Sequence, residues 1–372
     1  MRFIALLISA LLAGIYTETL IAANSDAQST SGAGHGQMLR RTIVHDGVER
    51  AYLVHVPPSA SQADAKLPVV IGLHGYGSTA SGFQAKNGLN RHSDSHGYIA
   101  VFVQGSHFVS ESPGREPDWV SSWNELAANQ GPTAAGPHCT DDRAQYPCPP
   151  ECGSCKFCDW TTCHDDLGFF EKMLDAVAAE FPTDTDRYYL LGVSTGGMMT
   201  LRLGCAIPGR FAAIASIIGQ LAIGYACGPA IDSPLLHLYG LKDNTVRSDG
   251  KPSGDGFIYS TAAETAGVWA TALACSAGPQ EWQNETSRQM GLECTAYSRC
   301  ADETHEVVSC ADPDGGHEWP SNFVEGVPAT CVTPEQYDYI PIQPHCPSPG
   351  DEYVSLGMDL VWTFFSRYRR SE

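Results

Sequence analysis

Short apolar runs alternate along the chain with stretches whose apolar residues recur at helical spacing. Residues 41–44 and 51–56 predict an opening pair of strands. Residues 67–73 and 98–103 are continuous apolar runs, the pattern of strands buried on both faces. Over residues 167–181 the period changes, and Phe170, Leu174, Val177 and Phe181 fall on one side of a helix. Residues 188–191 predict a strand that runs straight into a helix after Ser194. Residues 211–217 and 235–239 predict further strands, and residues 262–273 and 354–368 two helices. Strands alternating with helices predict an α/β fold, a mostly parallel sheet covered by helices on both faces.

Two segments break this rhythm. Residues 131–163 carry Pro, Gly and the cysteines Cys139, Cys148, Cys152, Cys155, Cys158 and Cys163; residues 321–350 carry Pro, Cys331 and Cys346. Both read as surface loop insertions stapled by disulfides. The chain start has another character. Arg2 is followed by an apolar run over residues 3–15, too short to span a bilayer, and by small residues at Ala22, Ala23 and Ala27. That is the plan of a secretory signal peptide, residues 1–23. A Ser-, Gly-, Ala- and Gln-rich leader, residues 24–38, comes next, and residues 39–372 form one domain, with no repeat or linker to suggest a second.

The whole-chain numbers narrow the partners. A formal net charge of −20 over 372 residues repels nucleic acid and anionic membrane surfaces. The 14 cysteines, all beyond the signal, fit an oxidising compartment, hence secretion to the extracellular or periplasmic space. The spacing Cys152-x2-Cys155-x2-Cys158-x4-Cys163 invites a zinc or iron–sulfur reading, but export and the even count favour disulfides, so no metal is expected. Asn284-Glu285-Thr286 is a glycosylation sequon, relevant in a glycosylating host.

The sharpest chemical signal is Gly192-Val193-Ser194-Thr195-Gly196-Gly197, a G-x-S-x-G run between a predicted strand and a predicted helix. A serine on such a tight turn lifts its hydroxyl clear of the sheet, and the flanking glycines remove side chains where strand and helix meet. A serine hydroxyl needs a base, and the base needs a carboxylate to orient it. Asp243 follows the strand at 235–239, and His317 lies in the glycine-flanked run Asp314-Gly315-Gly316-His317-Glu318-Trp319-Pro320, so the order is Ser, Asp, His. His305 competes for the base from a polar run before a strand. Asp232 and Asp312 compete for the acid, but Asp232 precedes its strand and so lies at the wrong end of the sheet. The oxyanion requires two aimed amides. Thr195 N–H follows the nucleophile, and Leu73-His74-Gly75-Tyr76-Gly77-Ser78 supplies the second, Tyr76 N–H before Gly75. His74 reads as a hydrogen-bonding support for that loop.

Leu73-His74-Gly75, Ser122-Trp123-Asn124, Asp165-Asp166-Leu167-Gly168-Phe169, the serine motif through Met198-Met199, Arg202-Leu203-Gly204-Cys205 and Gly315-Gly316-His317-Glu318-Trp319-Pro320 occur in this order. Together with the closing Trp362-Thr363-Phe364-Phe365, the set resembles the polyhydroxybutyrate depolymerase and feruloyl esterase family of carbohydrate esterases, from about residue 40 onward. The resemblance implies an α/β-hydrolase fold and places that family's serine, aspartate and histidine on Ser194, Asp243 and His317, and its oxyanion donors on Tyr76 and Thr195. It makes Trp123 a candidate substrate contact; Trp319 is a second from its place beside the histidine. Core packing is the competing role for both tryptophans. Cys205–Cys227 and Cys275–Cys300 resemble pairs of that family, and Cys331–Cys346 closes a local loop. The family's segment between Trp123-Asn124 and Asp165-Asp166 is usually shorter than here, and the loop after His317 is enlarged; both are expected to rim the site and bear on substrate size.

These expectations converge on a cofactor-free ester hydrolase acting through an acyl-enzyme on a polysaccharide-linked or oligomeric ester. Feruloyl or acetyl esters of plant cell wall come first, polyhydroxybutyrate or its oligomers second. A non-catalytic binding protein on the same fold is the alternative of another class, disfavoured because all three residues are present. A peptidase on the same residues has no supporting feature.

Overall fold

Alternating apolar strands and amphipathic helices assemble here into one large twisted sheet. The structure, a computed structural model, describes residues 35–62, 64, 66–110, 118–125, 146–147, 157–158, 164–221, 230–254, 258–319, 327–337, 344–347 and 355–370. For 108–110, 118–120, 146–147 and 157–158 it describes the backbone alone. The segment expected to be a signal peptide, most of the expected leader, the cysteine-rich insert apart from two short strands, and Cys227 lie outside these residues.

In chain order the first half comprises β1 (Gln37–His45), β2 (Val48–Val56), β3 (Leu67–Leu73), α1 (Ala80–Asn87), α2 (Leu89–His96), β4 (Ile99–Val103), β5 (Ser106–Ser110), β6 (Asp118–Ser122), β7 (Tyr146–Pro147), β8 (Phe157–Cys158) and α3 (Asp166–Glu180). The second half comprises β9 (Thr183–Val193), α4 (Thr195–Ala206), β10 (Ala213–Ile217), β11 (Leu235–Gly240), α5 (Ala262–Ala272), β12 (Ala277–Trp282), α6 (Glu285–Gln289), β13 (Glu293–Ser298), β14 (Val307–Asp312), α7 (Pro334–Tyr337) and α8 (Leu356–Phe365). Ten strands form the main sheet in the order β1-β2-β4-β3-β9-β10-β11-β14-β13-β12. The run from β4 to β14 is parallel throughout, and antiparallel pairs close both ends. This is the mostly parallel sheet expected from the alternation of elements, in the α/β-hydrolase architecture that the resemblance implies.

Each central strand feeds two cores, because successive side chains point to opposite faces. Val69, Ile71, Leu73, Val101 and Leu190 pack with Phe170 of α3, Leu203 of α4 and Trp269 of α5. Val70, Phe102, Tyr189 and Leu191 pack with Phe83 of α1, Leu89 of α2 and Phe364 of α8 on the other face. The continuous apolar runs of β3 and β4 therefore reflect burial on both sides.

Several bounds differ from the sequence reading. β1 begins at Gln37, inside the segment read as leader, because pairing with β2 extends through Gln37↔Val56 and Met38↔His55. Helix α1 gave no periodic signal, since nearly all of it is buried, including Ser81, Gly82, Gln84 and Asn87; Thr79 caps it by accepting from Gly82 N–H at 2.8 Å. Of the cysteines, Cys275 pairs with Cys300 and Cys331 with Cys346, as expected. A Cys294–Cys310 bond was not anticipated; the antiparallel register of β13 and β14 sets those two residues directly opposite. Cys205 is also disulfide-bonded. Among the described residues, no helix is long and apolar enough to cross a membrane.

Candidate active site

Ser194 occupies the single residue between β9 and α4. Its φ of 57° and ψ of −122° are strained for a side-chain-bearing residue. The turn is held by its backbone: Ser194 N–H donates to Ile217 O at 2.9 Å, and Met198 N–H opens the helix by donating to Ser194 O at 2.9 Å. The glycines are there for space. A β-carbon on Gly192 would strike the Gly196 carbonyl, and one on Gly196 would strike the carbonyls of Leu73 and His74. The strand, the helix and the loop after β3 can meet only because these positions lack side chains.

His317 comes to the serine from the loop after β14. Its Nε2 lies 2.9 Å from Ser194 Oγ and its Nδ1 lies 2.7 Å from Asp243 Oδ2. Asp243 is almost fully buried, and its other oxygen accepts from the amides of Thr245 at 2.7 Å and Val246 at 2.9 Å. A buried carboxylate held in this way stays aimed, and it sets the imidazole tautomer with the proton on Nδ1 and the lone pair facing the serine. The two loops are locked to each other: Leu241 N–H donates to Asp312 O and Lys242 N–H to Gly315 O, both at 2.9 Å.

The competing residues have other partners. His305 faces Asp302 at 3.6 Å in the turn before β14. Asp232, ahead of β11, accepts from Gly209 N–H. Asp312 ties down its own loop by accepting from Gly315 N–H at 2.8 Å.

The loop after β3 lies against the serine, so close that a β-carbon on Gly75 would sit 3.2 Å from Ser194 Cβ. Tyr76 and Ser194 line one cleft of about 160 Å³ with His317 and Trp319. Thr195 N–H belongs to the first residue of α4, ahead of the first helical bond, so the helix ladder leaves it available to an oxyanion. The loop is braced from below and behind. Gly77 N–H donates to Ser121 O at 2.8 Å, the Ser121 hydroxyl donates to Ser78 O, and Trp123 Nε1–H donates to His74 O at 2.8 Å.

Of the two roles open to Trp123, the structure shows packing and support of the loop: its ring is fully buried, packed 4.9 Å from His74 and 5.9 Å from Phe170, and it is not among the residues that line the described cleft. Trp319 does line the cleft, edge-on to Phe83 at 6.3 Å. The enlarged loop after His317 reaches the same place: Ala329 lines the cleft, and its carbonyl accepts from Ser78 Oγ at 2.7 Å and Thr79 N–H at 3.1 Å.

His74 behaves as the predicted support. Its Nδ1–H donates to Gly75 O at 2.8 Å, and its Nε2 accepts from Gly105 N–H at 2.9 Å. Burial lowers its pKa to about 4, and burial does the same to His237, which bonds Gly219 O at 3.0 Å. Both depressions favour the neutral form in the fold. Between about pH 6.5 and 4 the unfolded chain takes up protons that the folded chain refuses. Stability from these two groups is thus complete above pH 6.5 and is lost as pH falls towards 4. The slope is up to about 1.4 kcal/mol per pH unit for each histidine. Urea unfolding midpoints measured at pH 7 and 5 should fall accordingly, and a His237→Gln variant should show a shallower loss.

The sequence of the chain is 28% identical over 301 residues to a protein described as an esterase, NocK of Nocardia uniformis subsp. tsuyamanensis. The match spans 78% of this chain and 76% of that one. This chain is an α/β-hydrolase of the esterase type. Feruloyl esterase B of Piromyces equi is 24% identical over 268 residues, 70% of this hydrolase but 41% of that longer protein. Among solved structures, an acetyl xylan esterase from Aspergillus awamori superposes with a TM-score of 0.49 at 15% identity, covering 77% of this esterase and 96% of its own chain. No family model matches the chain.

Two further contributors were missed from sequence. Arg50, the third residue of β2, pairs with Asp166 at 2.5 Å, both almost wholly out of water. Gln104 links His74 to the enlarged loop, accepting from Gln336 Nε2 at 2.6 Å. Arg50 fell just outside the strand read at 51–56, beside Glu49, and nothing in the sequence marked it or Gln104.

Proposed function

We propose that this protein is a secreted serine carboxylic-ester hydrolase that works through an acyl-enzyme on feruloyl or acetyl esters of plant cell-wall polysaccharide. The observation that carries the reading is the continuous bond path from Ser194 Oγ through His317 to Asp243 on a strained strand–helix turn. Ser194 attacks the ester carbonyl as His317 Nε2 takes its proton, and Asp243 stabilises the resulting imidazolium. The amides of Thr195 and Tyr76 bind the oxyanion. His317 then protonates the leaving alcohol, and water repeats the sequence to free the acid. The similarity to a feruloyl esterase supports the acyl group, the disulfides support export, and the net charge of −20 disfavours anionic polymers as substrate.

The test is release of ferulate from methyl ferulate by the mature protein, with Ser194→Ala as control. Fast release that the variant lacks is the expected result. No release from a protein whose Ser194 still reacts with a fluorophosphonate would overturn the feruloyl assignment while keeping the esterase, and would turn attention to hydroxybutyrate oligomers.

A further inference from the structure

Helix α2 places His92 and His96 one turn apart on the same face, and α8 sets Asp359 beside them. The two imidazoles stack with centroids 3.8 Å apart and planes 10° from parallel. One ligand atom from each of the three residues lies within 4.8 Å of the other two.

The protons can be placed from the hydrogen bonds. His96 Nδ1 lies 2.9 Å from the His92 carbonyl, which can only accept, so its proton is on Nδ1 and its lone pair on Nε2. His92 Nδ1 lies 2.9 Å from the Tyr98 hydroxyl, which has the Leu89 carbonyl at 3.2 Å as its own acceptor. The metal-competent tautomer of His92 is the one in which Tyr98 gives its proton to Leu89 O and accepts from His92 Nδ1. His92 Nε2 is buried on a side chain only 8% exposed and makes no hydrogen bond, although Asp359 Oδ1 is 3.2 Å away. In that tautomer an imidazole lone pair and a carboxylate oxygen face each other at this distance, an arrangement that a cation between them relieves.

We infer that His92, His96 and Asp359 form a binding site for one divalent ion of the zinc class, joining α2 to α8. Two imidazole nitrogens and one carboxylate oxygen suit zinc and its neighbours better than calcium or magnesium, which prefer all-oxygen shells. With metal–ligand bonds of about 2.0–2.1 Å, a tetrahedral site has ligands about 3.3 Å apart, close to the separation of His92 and Asp359. Both Nδ1–H groups are already held by oxygen acceptors, the outer contact that orients metal-binding histidines. His96 is exposed and must turn out of its stack on His92 to bring Nε2 to the ion, and the fourth position falls to water. None of the three residues lines the Ser194 cleft. The ion's role is thus to clamp two helices that pack on the same face of the sheet from distant parts of the chain. The group His45, Asp46 and Asp165 differs, because His45 Nε2 already bonds Asp165 at 2.9 Å.

The test is calorimetric titration of chelator-stripped mature protein with Zn²⁺, alongside thermal unfolding with and without the ion. One ion per chain and a higher unfolding midpoint are expected. His96→Ala and Asp359→Asn should each weaken binding at least about 10-fold, while leaving ester hydrolysis and the metal-free midpoint near wild type. Absence of binding, or binding that neither variant weakens, would overturn the assignment. His96→Ala removes an exposed side chain, so a folding failure is not the expected cause of a loss.

Discussion

Replacing Ser194 by alanine should lower kcat on an aryl ester by about 10⁶ and abolish labelling by a fluorophosphonate. Among the described residues no other hydroxyl has the same partners: His317 Nε2 sits 2.9 Å from this oxygen, and the imidazole is oriented by a carboxylate that is itself held by two amides. Steady-state kinetics on a synthetic ester check the first statement and gel fluorescence the second. Residual activity within about 100-fold of wild type would mean that another nucleophile operates. The same position makes an independent prediction about stability. At a φ of 57° and ψ of −122°, a side-chain-bearing residue carries strain of order 1–3 kcal/mol, which glycine relieves, less about 1 kcal/mol for the greater freedom of glycine in the unfolded chain. Ser194→Gly should therefore be inactive yet unfold no lower than wild type. Thermal unfolding of the two variants side by side separates the chemical cost of losing the hydroxyl from the conformational cost of the turn.

Asp166→Ala should be the most damaging single change to the fold outside the cores, at about 3–5 kcal/mol. Asp166 is buried at the start of α3. One oxygen meets Arg50 at 2.5 Å, and the other accepts Asn124 N–H at 2.7 Å. Removing it strands a guanidinium that lies 4.3 Å above the Phe169 ring with no water to take over. It also frees the segment that carries Ser121 and Trp123, the two residues that brace the loop after β3. The expected result is a lower denaturation midpoint together with a fall in kcat larger than the rise in KM, because the misplaced amide acts on the transition state more than on bound ester. An unchanged midpoint would refute the role assigned to the buried pair. Arg50→Met combined with Asp166→Leu should recover much of the stability, since an apolar pair of similar volume need not be desolvated as charge.

Much of the site was legible because its parts are local in sequence. The elbow at Ser194 is a strand, a tight turn and a helix within one stretch, and its glycines are required by contacts that can be anticipated from that geometry alone. Asp243 and His317 were legible for a related reason: each follows a strand of a parallel sheet, and the ends of such strands share one edge. Trp123 kept two readings open because a buried tryptophan and a cleft-lining one have the same neighbours in sequence. Only the 2.8 Å bond from its indole N–H to His74 O shows that it stands behind the loop. The Cys294–Cys310 bond was invisible because it depends on the register between two strands, and β13 carried no clear signal of its own.

The amino-acid sequence by itself determined the alternation of elements, the two-faced burial of the central strands, and the choice of Ser194, Asp243 and His317 as the residues to meet, since each follows from side-chain period, from a short motif or from chain order. The tertiary structure alone decided which residues support that chemistry. Arg50 and Asp166 lie 116 positions apart, Gln104 and Gln336 232 positions apart, and Ser78 and Ala329 251 positions apart. Contacts of this kind are set by how helices and loops close over a folded sheet. The hydrophobic pattern places each element without saying which polar group will face which, and that pairing appears only when the buried donors and acceptors have to find partners.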